Sequence, residues 1–304
     1  MIQDIYPHKL NNHYRTDARP DASSIILYFT KDGILNCLKN QEELVDSEQQ
    51  ELFSEESRSP TQYLSFPRLE ELTAISPICT EELTYLFSID KENYFLLEET
   101  PERLPDDYVF TPVRSLRKMD IGPKYQIFAS VTGLQLYHWY QNNRFCGRCG
   151  HKTVHHTMER ALECPSCGHI IYPRIVPAVI VGVRNKDKLL LTKYRTGFAH
   201  YALVAGFTEI GETLEETVAR EVMEETGLHV KNICYYKSQP WGIVDDLLAG
   251  FYCDVDGDTE IHMDPLELKF AEWCSRDEIM LQPDDFSLTN EMMKMFKDGR
   301  DSEG

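Results

Sequence analysis

Residues 206–228 read GFTEIGETLEETVAREVMEETGL, and this stretch decides how the rest of the chain is understood. Between Gly211 and Gly227 lies a helix-length segment carrying six glutamates. Thr213 or Glu212 can open the helix, and acidic side chains in its first turn suit the positive end of the dipole. Gly227 can close it in the left-handed conformation. Glu221, Glu224 and Glu225 stand at i, i+3 and i+4 and so share one face. Like charges at that spacing repel by roughly 0.2–0.5 kcal/mol per pair on an exposed helix. An acidic, solvated helix face is the plain reading. A divalent cation shared by the carboxylates explains why no lysines are interleaved.

The spacing G-x5-E-x7-R-E-U-x-E-E-x-G-U, with U aliphatic, is complete from Gly206 to Leu228. It resembles the Nudix box, a signature far more specific than a short glycine motif. The resemblance implies an α/β fold, the Nudix α/β/α sandwich with a mixed sheet, and makes this helix the catalytic element.

At 304 residues, with 42% hydrophobic and 27% charged residues, the chain has the composition of a soluble globular protein of two or three domains. No apolar run approaches the roughly 18 residues that span a bilayer. The start, MIQDIYP, lacks the basic and apolar regions of a secretory signal. A cytoplasmic enzyme without membrane association is expected. The net charge of −19 opposes broad attraction to nucleic acid or anionic lipid, so a polyphosphate substrate needs a local cationic site.

Taken in order, residues 1–121 read as a β-rich N-terminal domain, with apolar and aromatic runs of strand length at 24–30, 85–89, 94–97 and 108–111. Residues 41–57 hold seven acidic residues and read as a solvated loop or surface helix. A connecting helix is expected over 122–143, where Phe128, Val131, Leu134 or Gln135, His138 and Trp139 recur at three- and four-residue spacing. His138 on that face is read as structural. A zinc ribbon follows at 144–173 and the catalytic domain at 174–304. Its strands are expected at 178–183, 188–192 and 200–205, the last running into Gly206, and then at 229–236, 247–255 and 270–274. A closing helix is expected at 287–297.

Nine cysteines divide into a paired four and a scattered five. Cys146 and Cys149, then Cys164 and Cys167, form two Cys-x2-Cys knuckles separated by fourteen residues. Each knuckle aims two thiolates at one point, and together they complete a tetrahedral zinc site. Two disulfides are the competing pairing, which a reducing compartment disfavours. Four sulfur ligands leave no open position, so this zinc is structural. Arg148, Lys152, Arg160 and Arg174 give the ribbon a modest basic complement for nucleic acid.

Beyond the box stand Ser238-Gln239-Pro240-Trp241 and Asp264-Pro265-Leu266-Glu267. A ribbon, a Nudix box, SQPW and a D-P-x-E glutamate together are similar to the bacterial NADH pyrophosphatases (NAD diphosphatases), from about residue 120 to the end. Carried over residue by residue, the resemblance implies that Glu221, Glu225 and the backbone carbonyl of Ala205 hold catalytic Mg²⁺ or Mn²⁺, with Glu267 completing the shell. It implies that Glu224 binds metal or assists the attacking water, and that Arg220 orients the glutamates. Trp241 is expected as a stacking platform for a base, with Phe207 on its other face; a core tryptophan is the alternative. Tyr172, Gln239 and Pro240 are expected to contact the nucleotide.

The family's segment continues P-F-P-x-S after the tryptophan, whereas this chain has Gly242-Ile-Val-Asp245-Asp246. Asp245 and Asp246 would bind ribose hydroxyls or another metal, or face solvent. The expected reaction is metal-dependent hydrolysis of a dinucleotide pyrophosphate, NAD(H) to NMN(H) and AMP. The alternatives are preference for ADP-ribose or another nucleoside diphosphate derivative, removal of an NAD cap from RNA, and a non-catalytic nucleotide-binding regulator. The resemblance implies a homodimer.

Overall fold

The computed structural model describes residues 1–40, 60–117, 119–196 and 200–301. The acidic segment expected at 41–57 lies outside them. The chain divides into two compact units, Asp4–Arg174 and Met1–Gln3 with Ile175–Gly304.

In the unit Asp4–Arg174, strands β1 (Leu10–Asn11), β2 (Ile25–Thr30), β3 (Gly33–Asn40), β4 (Gln62–Ser65), β5 (Thr84–Ile89), β6 (Glu92–Leu97), β7 (Val109–Thr111) and β8 (Ile121–Gly122) form one sheet. Its order is β1-β5-β6-β2-β3-β4-β8, with β7 on β3. Strand β2 is apolar almost without alternation because both of its faces are covered. Ile26 and Tyr28 pack in one cluster with Leu69 and Leu72 of helix α1 (Leu69–Thr73). On the opposite face, Leu27 and Phe29 meet helix α3 (Lys124–Asn142), which follows the short helix α2 (Val113–Leu116). Phe29 stacks on Tyr137 at 5.1 Å. Gly133 lets the helix approach, since a Cβ there would lie 2.4 Å from Leu27 Cδ1.

The expected helix is present, but its buried face is rotated. Phe128, Val131, Leu136, Trp139 and Tyr140 are buried, whereas Leu134, Gln135 and His138 are only half-buried. The helix packs on the unit's own sheet rather than serving as a bare connector. Three short strands complete the unit: β9 (Val154–His155), β10 (Leu162–Glu163) and β11 (Ile170–Ile171), in the order β11-β10-β9.

The second unit is built on β12 (Val176–Asn185), β13 (Lys188–Tyr194), β14 (Val204–Phe207), β15 (Val230–Trp241), β16 (Asp246–Val255) and β17 (Leu268–Ser275). The order is β15-β16-β12-β13-β17, with β14 on β12. β12 and β16 are parallel and the other pairs antiparallel, so the sheet is mixed. Because successive side chains alternate faces, Val179, Val181 and Val183 pack with Val218 and Val222 of helix α4 (Leu214–Thr226). Ile180 packs on the other face with Leu288, Met292, Met293 and Phe296 of helix α5 (Leu288–Lys297). One helix lies on each face of the sheet, as in an α/β/α sandwich. Ile2 N–H donates to the Phe286 carbonyl at 2.9 Å, which ties the first residues into this unit.

Two expected strands are displaced. The strand expected at 200–205 is β14 at Val204–Phe207, because Val204–Phe207 is what pairs with Ala178–Val181. Gly206 therefore sits inside a strand rather than opening a loop. The strand expected at 229–236 continues to Trp241, so all four residues of SQPW lie on β15. Among the described residues, no helix is long and apolar enough to cross a membrane.

Candidate active site

Helix α4 is fixed at both ends. Thr213, not Glu212, caps it: its hydroxyl accepts from Glu216 N–H at 3.2 Å while the Glu216 carboxylate accepts from Thr213 N–H at 2.8 Å. Gly227 closes it at φ +70°, donating to the Met223 carbonyl at 2.8 Å. Val218, Val222 and Glu225 follow one another at i, i+4 and i+7, on the stripe that faces the sheet. Glu225 is thus carried inward and is 2% exposed. Glu221 is largely covered, and Glu224, further round the helix, keeps 60% of its side chain exposed.

Arg220 gathers the acids. Its Nε and Nη2 donate to the two oxygens of Glu212 at 2.6 and 3.0 Å. Its Nη1 donates to Glu221 Oε1 at 2.8 Å and Glu224 Oε2 at 2.9 Å, and Nη2 also reaches the Phe207 carbonyl at 2.9 Å. The fork holds Glu212 well below the usual carboxylate range, at about 2, with help from the Glu209 N–H. Glu212 was not among the expected site residues. The fixed distance from it to arginine in the box has this geometry as its reason: the acid before the cap anchors the guanidinium that holds the helix glutamates.

Burial dominates at the other two carboxylates. It raises Glu221 despite the Arg220 hydrogen bond, and pushes Glu225 up to about 8. Glu225 Oε2 is buried without a partner, while Oε1 accepts from the Tyr194 hydroxyl at 3.2 Å. The same hydroxyl lies 3.5 Å from the Ala205 carbonyl. Tyr194 was also not expected. Nothing in its flanking sequence marks it; a register shift between Lys193 and Tyr194 where β13 meets β17 re-aims the side chain.

Gly206 lies under Glu221, where a Cβ would sit 1.9 Å from the carboxylate carbon. The loop before β17 is tied to the end of α4: His262 N–H donates to the Thr226 carbonyl and Asp264 N–H to the Glu225 carbonyl, each at 2.9 Å. Asp264 Oδ1 accepts from Leu266 N–H at 2.7 Å, which turns the chain into Glu267. Glu267 is exposed, and its charge acts on Glu221, Glu225 and Tyr194.

The residues expected at the substrate lie on several different elements. Gln239 is 0% exposed and fully engaged, donating to Phe286 O and Gln3 Oε1 and accepting from Leu288 N–H. It brackets the start of α5 and is removed from the substrate contacts. Pro240 is exposed and Trp241 half-buried on β15, so Trp241 is no core residue. Phe207 is exposed on β14. β14 is separated from β15 by β12 and β16, three strand spacings or about 14 Å of backbone. Asp245, at φ +65°, sits in the hairpin joining β15 to β16, with Oδ1 buried and without a partner. Asp246 is buried in the ladder opposite Trp241. Tyr172 belongs to the other unit, where its hydroxyl donates to Glu159 at 2.9 Å.

The four paired cysteines converge. Their sulfurs lie within 4.8 Å of one another, with Cys146–Cys167 at 3.7 Å and Cys149 at 3.4 Å from both Cys164 and Cys167. Tetrahedral coordination at about 2.3 Å sets sulfurs about 3.8 Å apart, whereas a disulfide needs about 2.05 Å. Gly150 and Gly168, at φ +76° and +67°, turn each knuckle so that their N–H groups donate to Cys146 and Cys164 carbonyls. Among the described residues this is the one group of three or more candidate ligands drawn so close; the glutamates of α4 are spaced more widely. The glutamate site nonetheless suits a hard cation: its donors are oxygens, one of them buried and unpaired, beside a strand glycine that leaves room for Glu221.

Two segments of the chain match known protein families. Residues 173–296 match the NUDIX domain family and residues 141–172 match the NADH pyrophosphatase zinc ribbon domain. The chain is 41% identical over 174 residues to the NAD-capped RNA hydrolase NudC of Escherichia coli O1:K1 / APEC, covering 56% of this chain and 65% of that protein. It is 40% identical to the protein of the same name from Shigella dysenteriae serotype 1 (strain Sd197), with the same coverage. The match thus spans less than two thirds of these relatives' length. A NUDIX hydrolase structure from Nitrosomonas europaea is 23% identical, with a TM-score of 0.46, covering 52% of this chain and 92% of that one.

Proposed function

This chain is a Nudix-domain protein carrying the zinc ribbon of the NADH pyrophosphatases, and from that premise we propose that it hydrolyses a dinucleotide pyrophosphate, NAD(H) to NMN(H) and AMP. The observation that carries the reading is the constellation on α4 and β14: Glu225 buried with one oxygen unpaired, Glu221 above Gly206, and Arg220 and Tyr194 holding both in place.

Glu221, Glu225, the Ala205 carbonyl and Glu267 are the groups that would hold Mg²⁺ or Mn²⁺. Such an ion, when bound, neutralises charge on the pyrophosphate and acidifies a coordinated water. Water adds to one phosphorus as the bridging P–O bond breaks, and the bridging oxygen leaves with the other phosphate. Glu224, the most exposed of the three helix carboxylates and held by Arg220 at 2.9 Å, would accept the water's proton. Trp241, half-buried at the end of β15, offers its ring to a base. The ribbon's four thiolates bind structural zinc. A cytoplasmic homodimer completes the reading, and sedimentation over a range of concentrations tests it.

Glu225→Gln tests the site directly. It keeps the shape but removes the charge, and the expected result is loss of at least about 10²-fold in kcat with the fold intact. Retention of most activity would refute the assignment. A second reading, removal of an NAD cap from RNA, draws on the similarity to NAD-capped RNA hydrolases. Turnover of NAD-capped RNA well above that of free NAD(H) favours it; the net charge of −19 weighs against it.

A further inference from the structure

The glutamate site is rich in acid, and its one arginine is already engaged. All the donors of Arg220 that face the site go to Glu212, Glu221, Glu224 and the Phe207 carbonyl. A pyrophosphate is itself anionic, so the unit Ile175–Gly304 needs a further cation to receive it. Most of its bases are committed elsewhere. Arg184, Lys231, Lys237, Arg276 and Lys294 each lie within 3.2 Å of a carboxylate. Lys193 sits 4.1 Å from the centre of the Tyr201 ring. Lys188 is at the far end of β13, about 20 Å of backbone from Tyr194.

Arg195 is placed differently. It leaves β13 directly after Tyr194, whose hydroxyl donates to Glu225 at 3.2 Å. Its backbone N–H donates to the Glu267 carbonyl at 3.0 Å, and its side-chain Nε donates to the Pro265 carbonyl. The residue is thus fastened at two points to the loop that carries Glu267. Its side chain is exposed, and among the described residues no carboxylate pairs with it. Nη1 and Nη2 therefore present a planar fork to solvent, while Nε holds the stem. Such a fork matches two oxygens of a phosphate, and a stem fixed beforehand loses less freedom on binding. We propose that Arg195 is a substrate-binding residue of the hydrolytic site, whose Nη1 and Nη2 bind non-bridging oxygens of the pyrophosphate. It balances charge that Arg220 does not, since the donors of Arg220 are spent on the glutamates. The inference rests on the hydrolytic reading and adds to it the group that receives the substrate's charge.

The test compares the full chain with Arg195→Ala and with Lys269→Ala, which removes another exposed base just beyond Glu267. The probe is imidodiphosphate, a pyrophosphate mimic whose P–N–P bridge resists hydrolysis, titrated calorimetrically with Mg²⁺ present. Arg195→Ala is expected to weaken its binding about tenfold or more, and Lys269→Ala to leave it near the parent value. In NADH turnover, kcat/KM is expected to fall on the order of 10²-fold in Arg195→Ala. Mg²⁺ affinity without substrate is expected to stay at the parent value, because the backbone bonds from Arg195 and Asp264 that hold the Glu267 loop survive the substitution. Unaltered imidodiphosphate affinity or unaltered kcat/KM in Arg195→Ala overturns the proposal. An equal loss in Lys269→Ala overturns it too, since a diffuse positive field would then suffice. A fall in Mg²⁺ affinity large enough to account for the loss would make Arg195 a fastener of the loop and no substrate contact. Binding and turnover are read separately. Absence of NADH turnover by the parent chain removes the hydrolytic reading, whereas parent-like imidodiphosphate binding by Arg195→Ala removes the role of Arg195 alone.

Discussion

At Gly206 the side chain that is missing matters most. A Cβ there would lie 1.9–2.2 Å from the Glu221 carboxylate atoms, so Gly206→Ala must push Glu221 aside. A displacement near 1 Å at a catalytic group costs on the order of 10²-fold in rate. That loss is expected in kcat with little change in melting temperature, and an alanine variant of full activity would detach Glu221 from the chemistry. Glu225 supplies a second test. Burial raises its pKa from 4.5 to about 8, so the folded chain keeps a proton that the unfolded chain has released. In the metal-free protein this contribution to stability is present below about pH 4.5 and is lost as pH rises towards 8. Metal requires the ionised form, so metal affinity should climb over that same window. A flat profile of affinity against pH would contradict the burial of Glu225. Tyr194→Phe removes a donor to Glu225, and about 10–100-fold weaker metal binding is expected by titration. The glutamates and Arg220 were legible in the sequence because their spacing is that of one helix face. Tyr194 was not, since its direction comes from a strand irregularity that only the ladder with β17 creates.

At the scale of the element, α4 fixes more than its own glutamates. Its final carbonyls accept from His262 and Asp264, so the end of the helix positions the loop that carries Glu267. Gly227 is needed there twice over: φ is +70°, and a Cβ would lie 2.9 Å from that of His262. Gly227→Ala is expected to lose about 1–2 kcal/mol in urea denaturation from the left-handed backbone alone, and to weaken metal binding as the loop shifts. Lost stability with unchanged metal affinity would show that the loop is held by other contacts. Caps are readable from residue types, and both ends of α4 were. Strand limits were less so. The chain from His200 to Ala205 is apolar enough for a strand, but the ladder to β12 selects Val204–Phe207. Gln239 was read as a substrate contact from its neighbours in SQPW. A polar side chain within a motif does not reveal that its hydrogen bonds are spent inside, on Phe286, Leu288 and Gln3.

Across the whole molecule, cohesion has two sources. The sheets of both units depend on apolar burial on their two faces, whereas residues 144–173, within the Asp4–Arg174 unit, bury little and rely on the four thiolates. Removing the ribbon's metal with a thiol-competing chelator is expected to increase amide exchange across residues 144–172 while the strands of β12 and β16 stay protected. Uniform loosening would mean that the ribbon and the Ile175–Gly304 sheet unfold cooperatively. The most direct test of the central claim is turnover of NADH, NAD⁺, ADP-ribose and NAD-capped RNA by the purified chain with Mg²⁺ or Mn²⁺, with products resolved, beside Glu225→Gln. Release of NMNH and AMP from NADH, abolished in the variant, is the predicted result; no turnover of any substrate by the parent chain would contradict the account.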